Sequence, residues 1–275
     1  MTRRHRAQHV FAYTANMHCG LTLVELLITI AIVSSVMAML LPALGKAREM
    51  GRSVACRGNL GQIALAWNMY LDDYDGLFYK GVNHQYDFGG WQGEDGTNAP
   101  YRPLNAYLGL PKEDASADRA RAFECPSDQG GFGYVGSVYR RLGNSYQANP
   151  ALVYPAALSA LPWCPEPWRT INCTIHEELH PVLCREQISQ PSQMLLTADH
   201  CWLTQWDPLI TYACGKAWHG RHHCYHAAFL DGHTDEIKIR KGLYLTADYR
   251  FQPFQHIDSL VLELQEQAPC ACGRE

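Results

Sequence analysis

From residue 20 the chain reads Gly-Leu-Thr-Leu-Val-Glu-Leu-Leu-Ile-Thr-Ile-Ala-Ile-Val-Ser-Ser-Val-Met-Ala-Met-Leu-Leu-Pro, an apolar run interrupted by one carboxylate, Glu25. About 20 such residues are enough for a helix to cross a bilayer. A bare carboxylate in that setting is costly and points to a role with a partner. Past Pro42 the run continues without a strong stop through Ala43-Leu44-Gly45-Lys46-Ala47-Arg48-Glu49, and the pattern then becomes one-sided. Leu60, Ile63, Ala64, Trp67, Tyr70 and Leu71 fall at i, i+3, i+4, i+7 spacing, the stripe of a helix packed on a sheet. Together these stretches predict one helix over 21–73, with an apolar half to residue 44 and an amphipathic half in 45–75. Asp72-Asp73-Tyr74-Asp75-Gly76 ends it, because acids oppose the dipole at a helix C-terminus and Asp-Gly favours a turn. Pro42 removes a backbone bond and predicts a kink or local melting. Gly45, Gly51, Gly58 and Gly61 each lower helix propensity by about 1 kcal/mol. They either permit close approach or flexibility there, or only weaken the helix.

The rest of the chain is less regular. Residues 79–122 are rich in Gly, Asn, Asp and aromatics and predict loops, a short strand and one short helix at 103–109. Tyr134, Val135, Val138 and Tyr139 suggest a strand. The Pro- and Cys-bearing stretch 130–190, around Trp163-Cys164-Pro165, reads as a long irregular insertion, stapled through Cys164, Cys173 or Cys184. Residues 193–198 form a short apolar strand. Ala227–Ile239 is the best hairpin, two runs around Asp231-Gly232, the composition of a type I′ turn with positive φ at both central residues. Ser259–Leu264 is a helix turn or a strand, and the tail from Cys270 is exposed.

Charge and cysteine content narrow the setting. The formal charge is −4, and removal of a leader bearing Arg3, Arg4 and Arg6 makes it −7. A mildly acidic chain offers no electrostatic footprint for nucleic acid. A basic leader before the apolar run fits insertion with the leader in the cytoplasm and the remainder outside. An ordinary secretory signal has its apolar core before the cut, whereas here the run follows Gly20. A lipoprotein reading through Cys19 fails for the same reason. Of the eleven cysteines, ten lie beyond the leader, an even number that suggests disulfides of undefined connectivity.

The basic leader ending in Gly20, the new first residue Leu21, Glu25 five places in and the apolar helix resemble the prepilin signal of type IV pilins and type II secretion pseudopilins. The usual first residue there is Phe, and here it is Leu. Pro42, twenty-second from Leu21, matches a proline common in pilin helices. The resemblance implies cleavage between Gly20 and Leu21 by a membrane prepilin peptidase and methylation of the new amine. It implies an inner-membrane, single-pass subunit with its globular domain outside the cytoplasm. Expected partners are other pilin or pseudopilin subunits and an inner-membrane assembly platform, and a cell-surface filament is the possible end product. Glu25 would pair with the α-amine of Leu21, in its own or a neighbouring subunit; the plain alternative is a glutamate snorkelling to the interface.

Three further segments look like a large pseudopilin-like family bearing a C-terminal H-x9-DG processing-associated domain. They are Cys56–Phe78, Phe123-Glu124-Cys125-Pro126-Ser127-Asp128 and Pro191–Asp199. That resemblance implies a Cys56–Cys125 pair. The family's histidine would fall at position 221, which is Arg221; His219 and His222 flank it, before Asp231 and Gly232. The motif is therefore present in outline over 219–239, its histidine displaced.

The histidine-rich segment also raises metal binding. Imidazole and thiolate suit a zinc-class ion, and His222, His223, Cys224 and His226 are the candidate ligands. They follow no recognised ligand spacing, and hydrogen-bonded surface histidines explain them as well. An EF-hand at Asp72–Asp75 is rejected, since its last ligand would be Asn83. No G-x-S-x-G and no phosphate-cradling loop occurs, so neither catalysis nor a cofactor is expected.

The expected fold is α+β: a long N-terminal helix packed on a mostly antiparallel sheet, with a large irregular insertion. Its expected parts are a leader (1–20), the membrane half of the helix (21–44), the amphipathic half (45–75) and a globular domain (76–275). The expected function is a pseudopilin or pilin-like structural subunit. The alternatives are an adhesin or ligand-binding module on the same anchor and a metal-dependent exported enzyme.

Overall fold

The structure, a computed structural model, describes residues 22–81, 87–95, 101–111, 118–131, 134–153, 166–178, 183–206 and 218–267. The predicted Gly20–Leu21 cleavage site, Cys164 and the C-terminal tail lie outside them. The chain divides into two compact units, Met1–Ala47 and Arg48–Glu275.

Helix α1 (Leu23–Asp73) belongs to both units. In the first, it exposes its side chains on every side, Leu23, Ile28, Ile32, Met39 and Leu41 among them. No polar face is available to solvate that half. The helix is long and apolar enough to cross a membrane. It runs through Pro42 unbroken, so the predicted local melting is corrected. One missing backbone bond does not unwind a helix whose neighbouring turns remain intact.

In the second unit α1 buries the predicted stripe. Leu60, Ile63, Ala64, Trp67, Tyr70 and Leu71 are buried, with Cys56 and Ala66. Trp67 is fully enclosed, with Tyr70, Phe78 and Phe88 around it at ring-centroid distances of 6.0, 6.1 and 6.1 Å. Burial of such an aromatic contributes about 3 kcal/mol.

The strands are β1 (Gly130–Gly131), β2 (Tyr134–Val135), β3 (Tyr146–Ala148), β4 (Leu195–Asp199), β5 (Cys224–Phe229) and β6 (Thr234–Lys238). The last four make an antiparallel sheet in the order β3-β4-β5-β6. Strand β4 is buried along its whole length, its polar Thr197 and Asp199 included. The second half of α1 lies against the hairpin. Asn68 Nδ2 donates to the Leu230 carbonyl at 3.2 Å, and Arg57 donates to the Thr234 carbonyl at 3.0 Å.

The hairpin turn is not the predicted type I′. Only Gly232 has positive φ, at 94°, and the loop holds three residues, Leu230, Asp231 and Gly232. Gly232 N donates to the Phe229 carbonyl at 2.9 Å, and Phe229 N donates to the His233 carbonyl at 3.0 Å. A type I turn followed by a left-handed glycine meets the same need with one strained residue instead of two. The Asp231 carboxylate accepts from the His233 backbone N–H at 3.1 Å and holds the turn.

The short helices are α2 (Val138–Leu142), α3 (Pro150–Val153), α4 (Trp168–Glu178), α5 (Trp202–Trp206) and α6 (Asp258–Gln267). Val138 and Tyr139 are thus helical, where a strand was expected. Ser137 caps that turn by accepting from Arg140 N, and Gly143, at φ 83°, ends it against the Trp91 carbonyl, where no side chain fits. Residues 103–108 form one short 3₁₀ helix, and 79–122 contains no strand among the described residues. Within the supposedly irregular insertion, α4 is regular, and Cys173 and Cys184 are free thiols, so neither staples it. The segment 258–267 is a helix rather than a strand.

Candidate functional site

At the start of α1, Thr22 and Glu25 form a capping box. The Glu25 carboxylate accepts from Thr22 N and from Thr22 Oγ1, each at 2.8 Å, while Glu25 N donates to Thr22 Oγ1 at 3.2 Å. Two backbone donors that the helix start would leave orphaned are thereby satisfied. The carboxylate is exposed, four residues past the predicted new terminus at Leu21.

Residues 15–41 match the prokaryotic N-terminal methylation motif. The chain carries a prepilin-type N-terminus. No curated protein and no solved structure matches it. The prepilin-type match spans the leader end, Gly20, Leu21 and Glu25, and stops before Pro42. It joins the membrane-compatible helix to a processing signal. The Thr-x-x-Glu spacing beside an apolar run was a legible capping signal that the reading of Glu25 as an assembly residue passed over.

The second candidate lies in the other unit, where the sheet register assembles a polar row. Tyr146 pairs with Asp199, and His226 pairs with Glu236. Ala198 pairs with Ala227, so the next residues, Asp199 and His226, are neighbours across β4 and β5. The row runs beneath α1, which contributes Glu49, Ser53 and Cys56. Cys56 is disulfide-bonded to Cys125, with Cα atoms 5.0 Å apart. Cys201 is also disulfide-bonded.

Asp199 organises the row. Its Oδ2 accepts from His226 N at 2.8 Å and lies 3.2 Å from His219 Nε2. The His219 and His226 rings are 3.9 Å apart. His226 Nε2 is 3.0 Å from Ser53 Oγ, and His219 Nε2 is 3.6 Å from Cys125 Sγ. Ser127 Oγ donates to Glu49 Oε1 at 3.0 Å, and that oxygen is 3.8 Å from His219 Nδ1. Three atoms here are buried without a hydrogen-bond partner among the described residues: Asp199 Oδ1, His219 Nδ1 and His226 Nδ1. Each lost partner costs on the order of 1–3 kcal/mol. Burial lowers the His226 pKa below its ordinary value, against the opposing pull of Asp199. Burial also pushes the Tyr146 phenol well up, with the nearby Asp199 charge adding to it.

The order Ser53–His226–Asp199 has the composition of a nucleophile, base and orienting acid. The His226 Nδ1 to Asp199 Oδ2 distance is 3.7 Å, beyond a hydrogen bond, so no relay is formed.

The two predicted motif histidines part company. His219 has a side chain only 4% exposed and joins the row, whereas His222 is exposed beside His223 in the turn before β5. The predicted metal set does not converge. His222 and His223 face solvent, and His226 is buried against Ser53. Cys224 lies on the same strand face as His226, and burial raises its thiol pKa. The strand begins only at Cys224, so His222 and His223 stay in the exposed turn before it and do not join the face that Cys224 and His226 share. The group that does converge among the described residues is Cys56, Cys125, Asp199 and His219.

Proposed function

We propose that this protein is a pilin-like structural subunit that acts by assembly rather than turnover. Prepilin peptidase would cut after Gly20 and methylate Leu21. The chain would then stand in the inner membrane by the first half of α1, its globular unit outside the cytoplasm. An inner-membrane platform would extract it into a type II secretion pseudopilus or a type IV-like pilus, apolar helices bundled within.

The observation that carries this reading is a fully exposed apolar half-helix that begins at a prepilin-type motif and holds one acid. Beyond that half, Met50, Val54, Leu65 and Met69 are exposed on α1, apolar surface suited to neighbouring subunits. Glu25, held by Thr22 in the single chain, exchanges or shares that partner with the amine of Leu21 on a sister subunit during assembly.

Glu25→Ala tests this directly. Filament or cross-linked oligomer is expected to fall at least about tenfold, an assembly loss of about 1.4 kcal/mol or more, with cleavage and membrane insertion unchanged. Normal oligomers from the variant would refute the reading. Surface binding that survives without oligomer would identify an anchored adhesin instead.

A further inference from the structure

Cys56, Cys125, Asp199 and His219 come from four separate parts of the chain: helix α1, the loop before β1, the end of β4 and the turn before β5. One ligand atom of each lies within 4.8 Å of all the others. Cys56, Cys125 and Asp199 are buried, and the His219 side chain is 4% exposed. Zinc–sulfur bonds of about 2.3 Å and zinc–nitrogen bonds of about 2.0 Å put neighbouring ligands of a tetrahedral ion about 3.3–3.8 Å apart. The His219 Nε2–Asp199 Oδ2 distance of 3.2 Å and the Cys125 Sγ–His219 Nε2 distance of 3.6 Å already meet that spacing. The two sulfurs are closer than that spacing, because they are bonded to each other.

Two unpartnered atoms also fit an ion. Asp199 Oδ1 is buried with no donor, and His219 Nδ1 is buried 3.8 Å from Glu49 Oε1. A histidine that binds metal through Nε2 commonly donates its Nδ1–H to a carboxylate, the place Glu49 occupies.

We propose that the dithiol form of the chain holds a zinc-class divalent ion on Cys56, Cys125, His219 and Asp199, and that forming the Cys56–Cys125 disulfide releases it. Binding converts two thiols to thiolates and frees two protons. Release consumes a small-molecule disulfide of the glutathione class. The two thiolates give up two electrons and become the protein disulfide, the oxidant takes those electrons with two protons and becomes two thiols, and the ion departs. The remaining imidazole and carboxylate are too few to retain it. The ion and the disulfide are thus alternative cross-links between the same segments, the first available before oxidation. This is independent of filament assembly.

The test uses the full chain in detergent, reduced by a phosphine under denaturant and refolded with cobalt(II) or zinc. Cobalt is expected to give tetrahedral d–d bands and thiolate charge-transfer absorption, and glutathione disulfide abolishes both. Second-shell losses alone cost about tenfold or more, so His219→Gln and Asp199→Asn are expected to weaken cobalt binding by at least about tenfold. His219→Cys, which restores a ligand, retains it. Zinc slows alkylation of Cys56 and Cys125, read peptide by peptide, and leaves Cys173, Cys184 and Cys224 unaffected. This last measurement decides the matter on the unmutated chain should a variant not fold. Equal alkylation of Cys56 and Cys125 with and without zinc, or cobalt binding indifferent to His219→Gln and Asp199→Asn, overturns the proposal.

Discussion

His226 sits almost wholly out of water, with Asp199, His219, Glu236 and Arg57 facing it from β4, the preceding turn, β6 and α1. Desolvation penalises its charged form more than Asp199 and Glu236 relieve it, so the folded pKa is below the ordinary 6.5. Below pH 6.5 the unfolded chain takes the proton before the folded chain does. Stability is therefore intact above that pH and is lost as pH falls through it. Thermal unfolding followed from about pH 7.5 to about pH 5 is expected to show a falling midpoint, and His226→Gln is expected to flatten that slope. An unchanged slope in the variant would assign the acid sensitivity elsewhere. Thr22 and Glu25 operate on a different balance. Their bonds satisfy the helix start locally, so the same carboxylate both caps the helix and remains exposed for a partner.

At the scale of elements, α1 combines two physical characters in one continuous backbone. The half that packs in the second unit follows a helical stripe, and the side chains of the other half are exposed among the described residues. A Cβ placed at Gly45, Gly51 or Gly58 meets no atom within 4 Å, so no packing among the described residues requires these glycines. Gly58→Ala is then expected to raise the unfolding free energy by about 1 kcal/mol through helix propensity alone. Denaturant titration of the solubilised chain measures this. A gain in stability accompanied by lost oligomer would assign the glycine to close approach between subunits; a gain with normal oligomer would leave it a mere weak point. The β5–β6 hairpin shows a related economy. Its Asp-Gly turn uses one left-handed residue, and the aspartate side chain supplies the remaining restraint.

For the molecule as a whole, the Cys56–Cys125 cross-link closes a long loop, its ends 69 residues apart, and ties α1 to the segment that leads into the sheet. Loop-closure entropy of that length contributes about 4 kcal/mol. Cys56→Ser is expected to lower the denaturant midpoint accordingly, with the loss concentrated in unit 2 and absent from the apolar half-helix; hydrogen exchange on α1 separates the two. Uniform loss along the whole helix would place the cross-link's effect elsewhere. The helix, its two halves, its end at Asp73 and the strands around Asp231-Gly232 were all written in local periodicity and turn chemistry, which depend on near neighbours. So was the prepilin-type signal, a contiguous motif. The Asp199–His219–His226 cluster was not legible in that way. Nothing local distinguishes buried His219 from exposed His222, and Asp199 meets His226 only because the β4–β5 register, set by a bulge between Leu195 and Thr197, brings them side by side. Sequence fixes what each segment can be, because periodicity and sterics act over a few residues; which distant polar groups share one buried place is decided by strand register and by the face of α1 laid over it.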